Sequence, residues 1–214
     1  MSIRRIKPKD YPALSDFLYA AIWVPSDSEL PPRSIIEKPE LALYIDGFGG
    51  KDDVGLVAKK DGKIVGAAWT RLIHGFGYVD DETPELTIGV LPEYRNKGIG
   101  TKLLKNLFEV VVEKRFKRIS LDVKKDNPAV HLYERLGFTT ERETDDSLVM
   151  VRELKEEARG LGIGLGMGFG AGLGAIAAAI TGQTDAIAIW IPIGMILGVG
   201  AATAWYESKK KRNA

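Results

Sequence analysis

Between Leu161 and Ile180 the chain runs for 20 residues without a polar side chain, using only glycine, alanine, leucine, isoleucine, methionine and phenylalanine. After Thr181-Gly182-Gln183-Thr184-Asp185 comes a second uncharged run, Ala186–Tyr206. As a helix, each run is long enough to cross a hydrocarbon layer of about 30 Å. The rest of the chain is a different material. Residues 1–160 carry 26 basic and 27 acidic side chains, whereas residues 161–214 carry four and two. Twelve of the 24 glycines fall between Gly160 and Gly200. The organisation expected from this division is a domain over 1–153, a linker over 154–160, a two-helix hydrophobic hairpin over 161–208 (helices 161–180 and 186–206) and a basic tail over 209–214.

The charges flanking the runs set an orientation. Arg152, Lys155 and Arg159 precede the first run, Lys209–Arg212 follow the second, and the turn between them has no basic residue. Positive charge stays on the cytoplasmic side, so both ends are expected there, with Gln183 on the far side of a two-span membrane hairpin. Trp205 and Tyr206 stand where an interfacial belt would lie. Two other arrangements fit parts of the same pattern. The alternation of glycine from Leu161 to Gly174 also has the period of a strand, but an isolated pair of strands cannot close a barrel and lipid does not tolerate open edges. A soluble buried hairpin would carry seven alternating glycines, each costing about 1 kcal/mol relative to alanine in water. The rows Gly162, Gly166, Gly170, Gly174 and Gly164, Gly168, Gly172 suit close helix contact and self-association into a homo-oligomer.

The remainder excludes several chemistries. With no cysteine, there is no disulfide framework, thiol nucleophile or thiolate zinc site. His74 and His131 are the only histidines, too few for a His-rich metal centre, and no Gly-x-Ser-x-Gly elbow occurs. A net charge of +1 gives no nucleic-acid footprint. No apolar run follows the first charges, so no signal peptide is expected, and residues 1–153 are expected to face the cytoplasm.

Hydrophobic periodicity within 1–153 predicts an α/β domain. Strands are expected at Ser2–Ile6, Val54–Ala58, Ile64–Leu72, Glu85–Leu91, Arg118–Val123 and Leu148–Val151. Asp10 is read as the cap of a helix ending before Pro25, and a short helix is expected around Pro39–Tyr44. Ile99, Leu103, Leu104, Leu107, Val110 and Val111 form one helix face. Asn127, Pro128 and Gly137 mark both ends of another helix as N-cap, N1 and C′.

The stretch that carries chemistry is Arg95-Asn96-Lys97-Gly98-Ile99-Gly100, between a strand and a helix. Glycines at a helix entry let backbone approach a ligand, and the unbonded N–H groups favour an anion. A phosphate site or a tight structural turn both fit. The spacing is neither a Rossmann fingerprint nor a Walker A loop.

Arg-x-x-Gly-x-Gly after a strand, followed by a helix, a strand and Asn127 through Phe138, resembles the GNAT superfamily of acetyl-CoA-dependent N-acyltransferases over roughly residues 1–152. The resemblance implies a GNAT-like mixed central sheet flanked by helices, acetyl-CoA as cosubstrate, no metal, and an amine acceptor that is a small molecule or a protein. It implies that Asn96, Lys97, Gly98, Ile99, Gly100 and Thr101 hold the coenzyme pyrophosphate with Arg95 beside them. It implies that Ile88, Gly89 and Val90 pair with the pantetheine arm, and that Asn127 lies nearby. Tyr133 matches the position where the family commonly keeps its general acid, and Glu85 the one where some members keep a base. Each has a plainer alternative. Tyr133 also suits a half-buried aromatic, Glu85 a solvated strand-edge carboxylate, Arg95 a surface charge and Asn127 a helix cap. Trp23, Trp69 and Tyr44 suit core packing better than an acceptor pocket, and both histidines suit ordinary surface or packing positions. A catalytically weak acyl-CoA-binding module, assembling through its hairpin, is the alternative to an enzyme.

Overall fold

β-Branched and apolar residues run almost unbroken through Val54–Lys60, Lys63–Arg71 and Ser147–Glu153, and these segments are strands with both faces largely covered. The structure, a computed structural model, describes residues 1–25 and 28–154. The expected linker, hairpin and basic tail therefore lie outside the described residues. Seven strands form one sheet: β1 (Ser2–Arg5), β2 (Val54–Lys60), β3 (Lys63–Arg71), β4 (Glu85–Val90), β5 (Arg118–Lys124), β6 (Thr139–Glu143) and β7 (Ser147–Glu153). Their spatial order is β1-β2-β3-β4-β5-β7-β6, antiparallel throughout except between β4 and β5. Helices α1 (Leu14–Ala21), α2 (Pro39–Ala42), α3 (Ile99–Glu113) and α4 (Val130–Arg135) complete the described elements, with three short 3₁₀ turns.

Strands β2 and β3 divide their side chains between two cores. Val57, Ala67 and Trp69 face Leu14, Phe17 and Leu18 of α1. Leu56, Ala68 and Leu86 face Leu103, Leu104 and Leu107 of α3, with Val130 and Tyr133 of α4 in the same cluster. Antiparallel pairing of β3 with β4 sets Ala67 opposite Gly89, Trp69 opposite Thr87 and Arg71 opposite Glu85. Glu85, Thr87 and Gly89 therefore belong to the α1 face, and Leu86, Ile88 and Val90 to the α3 face. Gly89 is where α1 crosses the sheet, for a β-carbon there would run into the Phe17 carbonyl.

The pairing of β4 with β5 positions the site. These parallel strands share a single register pair, Glu85 with Ser120, reinforced by the Ser120 N–H on the Pro84 carbonyl at 3.1 Å. Beyond Glu85 the two strands part, and β4 keeps a partner only on its β3 side.

Two expectations are corrected. Asp10 caps a turn earlier than expected. Its carboxylate accepts the Lys7 N–H at 2.8 Å and both Arg4 terminal nitrogens at 2.6 and 2.9 Å, closing the 3₁₀ turn Pro8–Ala13, so α1 starts only at Leu14. The paired guanidinium holds that carboxyl at about 2. β6, Thr139-Thr140-Glu141-Arg142-Glu143, was not foreseen. It is exposed along its whole length and charged, as an edge strand that resists further pairing should be, and so lacks the apolar alternation that announces a strand.

Candidate active site

The β4–α3 connection is built around donors that the chain does not use. Pro92–Tyr94 makes a 3₁₀ turn, Arg95 is extended, and Asn96 and Gly98 take positive φ of 57° and 74°. That conformation suits glycine at 98, immediately before α3. The helical ladder begins with the Lys102 N–H on the Gly98 carbonyl at 3.1 Å. Among the described residues, nothing accepts from the N–H groups of Asn96 through Thr101, and no side chain caps Gly98. Unbonded donors at the head of a 15-residue helix make a positive pole suited to phosphate oxygens. Gly100 leaves the approach open; a β-carbon there would only touch Ile88 and Leu132, at 3.7 and 3.9 Å.

Arg95 braces this loop. Its Nε donates to the Val90 carbonyl at 3.1 Å and a terminal nitrogen to the Ala20 carbonyl at 2.8 Å, tying the end of β4 to the end of α1. Lys97 donates to the Glu93 carbonyl at 2.7 Å and lies over the Tyr94 ring. Along β4 the Leu91 N–H points to Val65 of β3, at 3.1 Å. Since strand donors alternate between edges, the N–H groups of Ile88 and Val90 point the other way, into the opening between β4 and β5, while Gly89 faces β3. An extended amide-bearing chain could pair there as an added strand would.

Tyr133 lies on α4. Asn127 Oδ1 accepts the Ala129 N–H at 2.8 Å, and Gly137, at φ 84°, ends the helix with the Phe138 N–H returned to the Tyr133 carbonyl at 3.0 Å. The Gly137 end signal operates as expected, but Asn127 closes the turn before the helix: α4 starts only at Val130, and its N-cap, Ala129, has no side-chain cap. The Tyr133 ring packs edge-on to Phe138 in the α3-side core, with centroids 5.7 Å apart. Its hydroxyl has no hydrogen-bond partner among the described residues, and burial pushes it up to about 12.

Glu85 stands on the opposite face of the sheet. It is only 2% exposed, which overturns the solvated strand-edge alternative. Oε1 accepts the Tyr44 hydroxyl and, at 2.8 Å, the Gly77 N–H, while Oε2 has no bonded partner. Burial, with Asp122 of β5 adding like charge, lifts the carboxyl from 4.5 to about 7; hydrogen bonding from Tyr44 and from the Gly77 and Gly75 backbone acts against that rise. The fold therefore binds an extra proton between these values, and this group's contribution to stability falls as pH rises across that window.

Sequence reasoning missed two participants. Tyr44 is buried as expected for core packing, yet its hydroxyl serves Glu85. Asp122, half-buried and itself raised by burial, lies near enough to Glu85 to act on it. Trp69 is fully buried with its indole N–H on the Tyr44 carbonyl at 2.9 Å, and Trp23 is half-buried. His74 and His131 are exposed and pair with Asp81 and Glu134. Among the described residues no group of acidic or histidine side chains could hold a metal ion.

A mixed sheet parting between its parallel strands, with a donor-rich helix head at the opening, is an N-acetyltransferase fold. The ribosomal-protein-S18-alanine N-acetyltransferase of Escherichia coli superposes with a TM-score of 0.52 at 19% identity, over 74% of this chain and 97% of its own. The PaiA N-acetyltransferase of Thermoplasma acidophilum, solved in complex with coenzyme A, gives 0.54 at 21% identity over 72% and 99%. The model of the acetyltransferase (GNAT) family matches residues 18–138, and the chain belongs to that family. Residues 152–207 match a second model, glycine zipper membrane protein. Among curated relatives, a putative ribosomal protein bS18-alanine N-acetyltransferase of Bacillus subtilis is 35% identical over 84 residues, 39% of this chain and 52% of the relative. An acetyltransferase of Pectobacterium atrosepticum is 32% identical over 106 residues, 49% and 68%. The chain thus spans about half the length of the first of these relatives and two thirds of the second.

Proposed function

We propose that the chain transfers an acetyl group from acetyl-CoA to an amine, at the cytoplasmic face of a membrane. The observation that carries this reading is the run of unbonded N–H groups from Asn96 to Thr101, set beside the unpaired edge of β4. In it, the helix head holds the coenzyme pyrophosphate, with Arg95 bracing the loop and Asn127 fixing the start of α4 alongside. The Ile88 and Val90 N–H groups, either side of Gly89, receive the pantetheine amide and the thioester carbonyl. The amine attacks that carbonyl, the new C–N bond forms as the C–S bond breaks, and the Tyr133 hydroxyl protonates the departing thiolate. The amine's proton passes through water to Glu85, which near pH 7 is partly ionised and able to take it. No covalent enzyme intermediate is required.

The test is transfer of labelled acetyl from acetyl-CoA by the full-length chain to a panel of amines. The panel holds a peptide with an N-terminal alanine, as the named relatives suggest, with a lysine peptide, a polyamine, an aminoglycoside and an amine-bearing lipid. Label is expected on one class, at a rate well above that in buffer. Tight acetyl-CoA binding without transfer to any of them would favour the acyl-CoA-binding interaction module instead.

Membrane attachment in this proposal rests on residues 161–206 and on the glycine zipper match; among the described residues no helix is long and apolar enough to cross a membrane. The full chain is expected to stay with the membrane through alkaline carbonate extraction, and a chain ending at Glu153 to be released. A cysteine at Gln183 should react with an impermeant maleimide on intact cells, and one at Ser208 should not. Recovery of the full chain in the soluble fraction, with neither position labelled, overturns the hairpin. The glycine rows add self-association in detergent, which Gly166→Leu should weaken.

A further inference from the structure

The connection between β3 and β4 does more than join two strands. At Gly75–Gly77 it lies directly against the buried Glu85 carboxylate. A β-carbon at Gly77 would stand 2.8 Å from the Leu121 carbonyl carbon and 2.9 Å from both the Asp122 nitrogen and Glu85 Oε1. One at Gly75 would run into the Tyr44 hydroxyl and come within 2.6 Å of Glu85 Oε2. Between them Phe76, 53% exposed, stacks on the Tyr44 ring, centroids 6.5 Å apart and planes at 19°.

The Tyr44 hydroxyl is the joint of this arrangement. It donates to Glu85 Oε1 and accepts the Phe76 N–H at 2.9 Å, while the Gly77 N–H reaches the same Oε1. From behind, the Trp69 indole fixes the Tyr44 backbone. The other charged neighbours of Glu85 offer no relief. Arg71, opposite it on β3, spends its guanidinium on Asp53 and on the Leu43 and Asp46 carbonyls. Asp122 on β5 is a like charge, and His74 of the connection pairs with Asp81. A charge on Glu85 is thus supported by the Tyr44 hydroxyl and by backbone N–H groups of the loop.

We propose that Tyr44 is a positioning residue for Glu85, its hydroxyl coupling the carboxylate's ionisation to the seating of the 75–77 loop over it. The kinetic side of this inference rests on the acetyltransferase reading; the titration of Glu85 does not. The sign follows from the donor. A hydrogen bond given to the charged form favours it, so removing the hydroxyl drives the Glu85 midpoint further above 7.

The experiment follows the side-chain carboxyl carbon resonances of the full-length chain across pH, with Glu85→Gln assigning the signal. In Tyr44→Phe the Glu85 midpoint is expected to rise by about one unit, the scale of one hydrogen bond to a charged group. The acidic limb of kcat/KM should move by the same amount, with KM for acetyl-CoA unchanged. Gly77→Ala, whose β-carbon would press the loop away from the β5 backbone at Leu121 and Asp122, should displace the second donor and shift the midpoint in the same direction, which keeps the test available if Tyr44→Phe fails to fold. A midpoint that stays in place overturns the proposal. A shifted midpoint in a chain that acetylates no amine upholds Tyr44 and removes the enzymatic reading. Turnover with an unmoved midpoint does the reverse.

Discussion

A chain carrying Gly98→Asp is expected to bind acetyl-CoA at least about 100-fold more weakly while keeping its sheet and helices. Two effects combine. Position 98 holds a φ of 74°, which an aspartate adopts at modest cost, so the loop need not collapse. The new carboxylate would stand at the head of α3 and set a negative charge against the pyrophosphate. Isothermal titration of the full-length chain with acetyl-CoA measures the loss, and circular dichroism checks the fold. Unchanged affinity in a folded Gly98→Asp chain would remove the helix head as the pyrophosphate site.

The helix head was legible because its signals are local. Glycines at 98 and 100, an apolar face beginning at Ile99 and a strand just before them state the geometry within about a dozen residues. The C-terminal end of α4 was legible for the same reason, from Gly137, whereas Asn127 marked a turn ahead of the helix, which starts at Val130. The surroundings of Glu85 were not. Its hydroxyl partner lies 41 positions away in the sequence, on a segment whose apolar neighbours read correctly as core, so nothing local marked Tyr44 as polar in its function. The burial of Glu85 depends on the 72–84 connection folding back across its own strand, which glycines at 75 and 77 permit but do not announce. Arg95 was read as a partner for phosphate from its place beside the glycines. Its guanidinium also reaches two carbonyls, one of them 75 residues away on α1, and such a brace has no sequence signature. β6 escaped because an edge strand protected by charge looks like a loop.

Replacement of Tyr133 by phenylalanine is expected to separate activity from stability. The ring already lies in the α3-side core, against Phe138, and phenylalanine preserves that packing. The lost hydroxyl has no hydrogen-bond partner among the described residues, so its removal strands no donor or acceptor. The melting temperature should therefore hold or rise slightly. If Tyr133 is the acid that protonates the departing thiolate, kcat should fall by about 10²–10⁴-fold, with acetyl-CoA affinity nearly unchanged. The pH dependence adds a second reading. With the hydroxyl raised to about 12 by burial, the acid stays protonated through the working range, and the wild-type profile should show an acidic limb near 7 from Glu85 with no matching alkaline fall below about pH 10. Tyr133→Phe should lower the whole profile and leave the position of its acidic limb unmoved. A phenylalanine variant that turns over at the wild-type rate would return Tyr133 to the core it packs in, since a residue there for packing alone loses nothing when its unpartnered hydroxyl is removed.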